Sequence, residues 1–143
     1  LYKMANNLTK LNIHLAKFNN EISEYCKSCQ KSGVIVRENF LHFYFECPTT
    51  MNHVKNAKKI FLEDVKYEPS DILINDKNNN ANSFERTIAG IICYVLFTHR
   101  NDGANKINKM NDNFRKIISG SIKNSNFFKS KVERYMNCCI DPF

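Results

Sequence analysis

The chain has 143 residues, 43% of them hydrophobic, and a formal net charge of +7. This length is typical of one domain with its own core, and the apolar content excludes general disorder. The longest apolar run, 88–97, is about half of the ~20 residues that a membrane span needs, so we expect no association with a membrane.

The first predicted element is an amphipathic helix from about Ala5 to Glu24. Its apolar residues recur at steps of three and four, at Leu8, Leu11, Leu15, Phe18 and Ile22. That spacing places them on one helix face. We favour a helix docked on a core over a coiled coil, because a coiled coil needs more heptads.

The cysteine region, residues 25–63, carries the most specific motif. Cys26 and Cys29 are separated by two residues. After a gap of twelve residues, His42 begins a second pair, which ends at Cys47. Two chelating pairs of this kind can supply four sulfur and nitrogen ligands to one Zn²⁺. Such a site has no open coordination position, so we predict a structural zinc and no catalytic residue. The alternative is a chance grouping of cysteines.

Further helices are predicted along the chain. A short helix covers 38–46, the next begins at Pro48 and runs toward Glu63, and residues 33–36 form a short strand or turn arm. An Asn-rich loop, 75–83, leads into a basic helical part, 84–137, with helices at about 84–100, 104–119 and from Ser125. The predicted fold class is therefore mainly α: a single helical domain, 1–143, nucleated by a Cys-Cys-His-Cys zinc site, with at most a short strand or hairpin.

Basic residues are concentrated between 100 and 134. This segment has nine Lys or Arg and three acidic residues, so it contributes nearly the whole net charge of the chain. Such a concentration favours an anionic partner, RNA or DNA. The alternative is a solvated helix face in a chain whose Asn, Ile and Lys content reflects A/T-rich codons. The predicted phosphate contacts are Lys27 and Lys31 beside the metal loop, then Arg100, Lys106, Lys109, Arg115, Lys116, Lys123, Lys129, Lys131 and Arg134.

Three consecutive aromatic residues, Phe43, Tyr44 and Phe45, lie between the ligands of the second pair. On a helix they cannot all face one way, so one is expected in the core and one nearer the surface. We take Tyr44 as the candidate that stacks on a nucleic-acid base. The alternative is packing against the apolar stripe of the first helix.

The stretch from Cys26 to Pro48, CKSCQ…HFYFECP, resembles the zinc-binding region at the C-terminus of non-LTR retrotransposon reverse transcriptases. The preceding LTKLNIHLAKFN and the later IAGIICYVLFTHRN are similar to the helices that flank that region. The resemblance implies binding of template RNA or target DNA during target-primed reverse transcription. It also implies that the polymerase and endonuclease sites lie elsewhere in a longer polypeptide, so this segment is not itself an enzyme.

The resemblance further implies an intracellular, nuclear protein whose partners are RNA or DNA and the remainder of the reverse transcriptase. No secretory signal precedes the cysteines, and the chain opens at Leu1, which suggests a fragment of something longer. The rival hypothesis is a structural or interaction module that docks on the rest of the polymerase or on a partner protein.

Overall fold

The computed structural model describes residues 10–69 and 83–138, except for four side chains in the last helix. The helices of these ranges are α1 (Asn12–Leu15), α2 (Lys27–Lys31), α3 (Pro48–Ile60), α4 (Ser83–Thr98), α5 (Lys106–Asn124) and α6 (Asn126–Cys138). A π-helical turn, His42–Glu46, precedes α3. Within the same ranges the one isolated β-bridge pairs Tyr25 with Arg37 in antiparallel fashion. The mainly α fold class is therefore confirmed, whereas a single domain over 1–143 stays a prediction.

The core lies among α3, α4, α5 and α6, which contact one another. Helix α4 is apolar on nearly all sides and buries Ile88, Ile92, Val95 and Leu96. Burial of each such side chain stabilises the fold by about 1.5–3 kcal/mol. The apolar faces of α3 and α5 pack around α4. Their buried residues are Val54, Ala57, Ile60, Met110, Phe114 and Ile118.

An aromatic cluster links α3, α4 and α5. Phe61, directly after α3, meets the rings of Phe84 and Phe114 edge-on, with centroids 5.9 and 6.2 Å apart. Helix α3 ends at Ile60, three residues before the predicted Glu63, because Leu62 and Glu63 adopt positive φ angles and leave the helical conformation.

The boundaries of α5 also differ from the prediction. It begins at Lys106 because Asn105 is left-handed (φ 64°), a conformation that asparagine tolerates better than most residues. It continues beyond the predicted residue 119 to Asn124, where Ile122 still packs against the core.

The first predicted helix is wrong over most of its described part. Only α1 is helical there, and Phe18 is 91% exposed instead of facing the core. The Glu38 carboxylate fixes the start of α1, because Asn12 donates both its backbone N–H (3.0 Å) and its Nδ2 (3.3 Å) to it. Beyond α1, the Asn19 side chain accepts the Glu21 N–H, a local bond that competes with helix formation. Leu8 lies outside the described residues.

Most of the predicted Asn-rich loop, residues 75–82, lies outside the described ranges, and α4 begins at its last residue, Ser83. No helix of the described part of the chain has the length and hydropathy required to cross a membrane.

Candidate metal centre

The first ligand pair lies in a tight turn around α2, residues 26–34, which we call the knuckle. Cys26 immediately precedes α2 and Cys29 lies inside it. The chain reverses at Gly33, whose φ of +78° favours glycine, and the Val34 N–H then donates to the Cys29 carbonyl at 3.0 Å. This turn brings both sulfur atoms to the same side.

A short antiparallel arm holds the knuckle in place. The Cys26 N–H donates to the Val36 carbonyl (2.8 Å), and the Glu38 N–H donates to the Glu24 carbonyl (2.9 Å). The predicted short strand or hairpin is thus reduced to these two backbone hydrogen bonds and the Tyr25–Arg37 bridge.

The second ligand pair depends on the π-helical turn. In an α-helix, residues five apart point about 140° away from each other. Here the Cys47 N–H donates to the His42 carbonyl (2.7 Å), the five-residue bond that defines a π turn. The wider turn lets both side chains point toward the knuckle, and the Asn39 side chain accepts the His42 N–H (2.8 Å).

The four side chains meet at one point. The ligand atoms of Cys26, Cys29, His42 and Cys47 all lie within 4.8 Å of one another, and all four residues are buried. The Cys26 and Cys47 sulfurs are 3.9 Å apart, and Cys29 Sγ is 3.4 Å from His42 Nε2. The predicted ligands are therefore brought together closely enough to hold one metal ion.

The surroundings of the cluster favour the thiolate form of Cys47. Cys47 shares a hydrogen bond with Cys26, and the N–H groups of Thr49 and Thr50 at the start of α3 point at the Cys47 sulfur. These bonds lower the pKa of Cys47. The shared proton and burial raise the pKa of Cys26. On the other side of the imidazole, His42 Nδ1 lies 4.0 Å from the Glu46 carboxylate, while Nε2 faces the sulfurs.

Lys106, predicted as a phosphate contact, is half-buried against the knuckle. Its ammonium donates to Ser28 Oγ (3.2 Å), between the two knuckle cysteines, and to the Arg100 carbonyl (3.0 Å). Burial lowers the pKa of Lys106, while nearby Cys47 and Cys26 act in the opposite direction. Arg100 donates to the Lys10 carbonyl (2.8 Å) and covers the Phe97 ring at 4.4 Å. Both cations thus bind the protein itself.

The other predicted phosphate contacts are on the surface. Arg115 is half-buried, and the exposed ones are Lys27, Lys31, Lys109, Lys116, Lys123, Lys129, Lys131 and Arg134. Three of these, Lys109, Lys116 and Lys123, recur every seven residues along α5. Seven residues are nearly two turns, so the three lie on one face about 10.5 Å apart, and we call them the cationic stripe.

Tyr44 is not accessible to a base, so its assignment as a stacking residue is wrong. It is fully buried, with ring centroids 4.7 Å from Phe43 and 5.2 Å from Phe40, and its carbonyl accepts the Tyr67 hydroxyl at 3.0 Å. Because the chain forms a π turn here, all three aromatics of the run are at least half-buried.

One polar residue that supports the site, Glu38, was missed from the sequence. Glu38 is buried and fixes the start of α1, with Arg100 and Lys106 as its nearby cations. His53 is buried in α3 and donates from Nδ1 to Asn111 Oδ1 (2.7 Å), so it does not join the cluster. No spacing rule links residues as distant as Glu38 and Arg100.

No protein-family model, curated protein or solved structure matches this chain.

Proposed function

We propose that this chain is a zinc-stabilised nucleic-acid-binding domain of a non-LTR retrotransposon reverse transcriptase. Its task would be to hold template RNA or target DNA during target-primed reverse transcription. The polymerase chemistry belongs, on this proposal, to other parts of the parent polypeptide.

Zinc is supported by the donor set and by its spacing. Zn–S bonds of about 2.3 Å and Zn–N bonds of about 2.0–2.1 Å in a tetrahedron imply S···S distances near 3.8 Å and S···N distances near 3.6 Å. The observed pairs, 3.9 Å for Cys26–Cys47 and 3.4 Å for Cys29–His42, are close to both values. Three thiolates and one imidazole also favour zinc over Mg²⁺ or Ca²⁺, which prefer oxygen ligands.

The cationic stripe is the observation that supports nucleic-acid binding. Lys109, Lys116 and Lys123 are exposed along about 21 Å of α5, with Asp112 as the one acid of that helix. Helix α6, which packs against α5, adds exposed Lys129, Lys131 and Arg134. Extended cationic surfaces of this kind neutralise backbone phosphates. The sequence resemblance of the Cys26–Pro48 block is the reason for assigning the partner as RNA or DNA.

A docking module is the second candidate, and one observation favours it. In the arm beside the metal centre, Val34 is 51% and Ile35 is 73% exposed. Contiguous exposed apolar patches mark protein contacts, and these two side chains would form part of such a patch. The remainder of the reverse transcriptase or a partner protein would cover them.

The salt dependence of binding separates the two candidates. Each phosphate contact contributes about 0.9 to the slope of log affinity against log salt on a duplex, or about 0.7 on a single strand. The triple variant Lys109→Gln/Lys116→Gln/Lys123→Gln should therefore lower the slope by about 2–3. Fluorescence anisotropy with labelled RNA and DNA between 50 and 200 mM salt measures it.

The matched control is Lys17→Gln/Lys55→Gln/Lys66→Gln, which removes the same charge from exposed positions outside α5 and α6. A much smaller change of slope in this control supports the stripe. Equal changes in both triples would indicate diffuse attraction to a basic protein, and the docking module would replace the nucleic-acid-binding proposal.

A further inference from the structure

A polar cleft of about 450 Å³ opens beside the metal centre. It lies between the knuckle, the start of α3 and the start of α5. Its walls include Lys31, Thr49, Asn52, Asn105, Lys106 and Asn108. This volume is within the range of small-molecule sites, which hold a ligand in a concavity with a few convergent polar groups.

The cleft continues into a second, more apolar pocket of about 320 Å³. The two share Ser28, Pro48 and Thr49, and the second pocket adds Val34 and Val36 as apolar walls. A ligand that spans both pockets therefore meets a cationic, amide-rich part and an adjoining apolar part.

The charge of the cleft favours an anion. Lys106 uses two of its three N–H donors on Ser28 Oγ and the Arg100 carbonyl, so one donor remains for a group in the cleft. Because this ammonium is half-buried, solvent screens it less than a surface lysine. Lys31 adds an exposed cation. In the cleft itself, the carboxylate of Asp102 is already bound by His99 Nδ1 (2.7 Å) and faces Lys109 at 3.8 Å. The adjoining pocket has one exposed carboxylate, Glu46, which does not line the cleft that holds the two lysines.

Three amides supply both donors and acceptors. Asn52 and Asn108 are exposed on α3 and α5, and Asn105, directly before α5, has a left-handed conformation. A carboxamide can pair with the edge of a base through one donor and one acceptor. Bases in a duplex are stacked and paired, whereas unstacked bases of a single strand can enter a pocket and present their edges.

We infer that this cleft seats one nucleotide of single-stranded nucleic acid, with its phosphate at Lys31 and Lys106 and its base among the amides and the apolar walls. The inference rests on the proposed function and deepens it, because it adds a strand-selective site to the sequence-independent contacts of the cationic stripe. The cleft would distinguish single strands from duplexes, which the stripe alone does not.

The test uses a variant that leaves the charge unchanged. Asn52→Ala/Asn108→Ala removes two exposed amides at helical positions where alanine is well tolerated. With labelled 12-nucleotide single strands of RNA and DNA, we expect a loss of affinity of at least about fivefold, since a bidentate amide–base pair is worth about 1–3 kcal/mol. Binding to the matching duplexes should be unchanged, and so should the salt slope.

Asn124→Ala/Asn137→Ala, which removes two exposed amides outside the cleft, is the control and should bind like the wild type. Unchanged single-strand affinity in the cleft variant, or equal losses on single strands and duplexes, would overturn the cleft assignment and leave the proposed function standing. A wild-type protein that binds neither form would overturn both. Lys31→Gln is a second, independent variant: it should lower the single-strand slope by about 0.7, and an unchanged slope contradicts the phosphate position.

Discussion

The metal centre, residues 26–47, and the basic helices α5 and α6 use polar side chains in opposite ways. In the metal centre, all four candidate ligands are buried and converge within 4.8 Å. In α5 and α6, six cationic side chains are exposed and at least one helix turn separates most of them. The first region has a defined geometry at a single point, whereas the second has a charge spread along a surface.

This difference determines how each region tolerates change. Loss of one ligand from a converging set leaves three that cannot hold the metal in the same way, so the effect is large and local. Loss of one exposed lysine removes one of several similar contacts, so the effect is small and nearly additive. Lys106 belongs to α5 in sequence but to the metal centre in space, and it links the two regions.

The largest effect is expected from a variant that removes one ligand of the metal centre. Cys29→Ser should reduce bound zinc from about one equivalent to nearly none, because structural zinc sites bind with about 10–16 kcal/mol and depend on all ligands. Amide hydrogen exchange should accelerate across residues 25–50 while the core of α5 stays protected. Elemental analysis and exchange mass spectrometry measure the two quantities.

Cys93→Ala is the control for Cys29→Ser. Cys93 is buried in α4 beside the Tyr67 hydroxyl (3.7 Å) and is not a member of the cluster. This variant should be less stable yet keep its zinc. Full zinc content in Cys29→Ser would contradict the four-ligand site.

A smaller effect is expected when the inner face of α5 is changed. Phe114 is fully buried and contacts Phe61 and His53, so Phe114→Ala should lower the free energy of unfolding by about 3–5 kcal/mol. Urea denaturation measures the loss, and zinc should remain bound at one equivalent. Asp112→Ala, on the exposed face of the same helix, should change the free energy of unfolding by no more than about 0.5 kcal/mol. Similar losses in both variants would show that α5 is not divided into an inner and an outer face.

The smallest expected effect tests the link between the regions. Three thiolates, a neutral imidazole and Zn²⁺ carry a net charge of −1, which the half-buried Lys106 ammonium would offset. Lys106→Met should therefore weaken zinc binding about 10–100-fold, the usual range for residues that support metal ligands. A competition titration with a chromogenic chelator measures the affinity. Lys109→Met, on the exposed stripe, should leave it unchanged, and equal affinities in the two variants would remove Lys106 from the metal centre.

The chelate spacing and the long helices could be predicted because both are local in sequence. A C-x-x-C pair and a His-x4-Cys pair can each reach one metal from a single turn, whatever the rest of the chain does. The apolar periodicity of 84–100 and 104–119 likewise depends only on neighbours three and four residues apart. Helices α4 and α5 cover most of these ranges, with their ends shifted by one to five residues.

The first helix and Tyr44 could not be predicted because their environments come from distant segments. The apolar stripe ending at Ile22 satisfies helical spacing, yet α1 ends at Leu15. The distant Glu38 fixes its start, and beyond its end the Asn19–Glu21 bond competes with helix formation. Tyr44 is buried in a turn where the hydrogen bond from the Cys47 N–H to the His42 carbonyl replaces an α turn. No residue type in the run 43–45 predicts that hydrogen bond.

The sequence by itself determined which four residues can bind a metal and which segments form the helical core, since ligand type and apolar periodicity are properties of short stretches. Only the tertiary structure decided how each lysine is solvated and which groups it contacts. Lys106 and Lys109 are three residues apart and identical in charge, but one is half-buried over Ser28 and the other is exposed. The reason is physical: the charge of a side chain is set by its chemistry, whereas its solvation and its neighbours are set by the elements that pack around it.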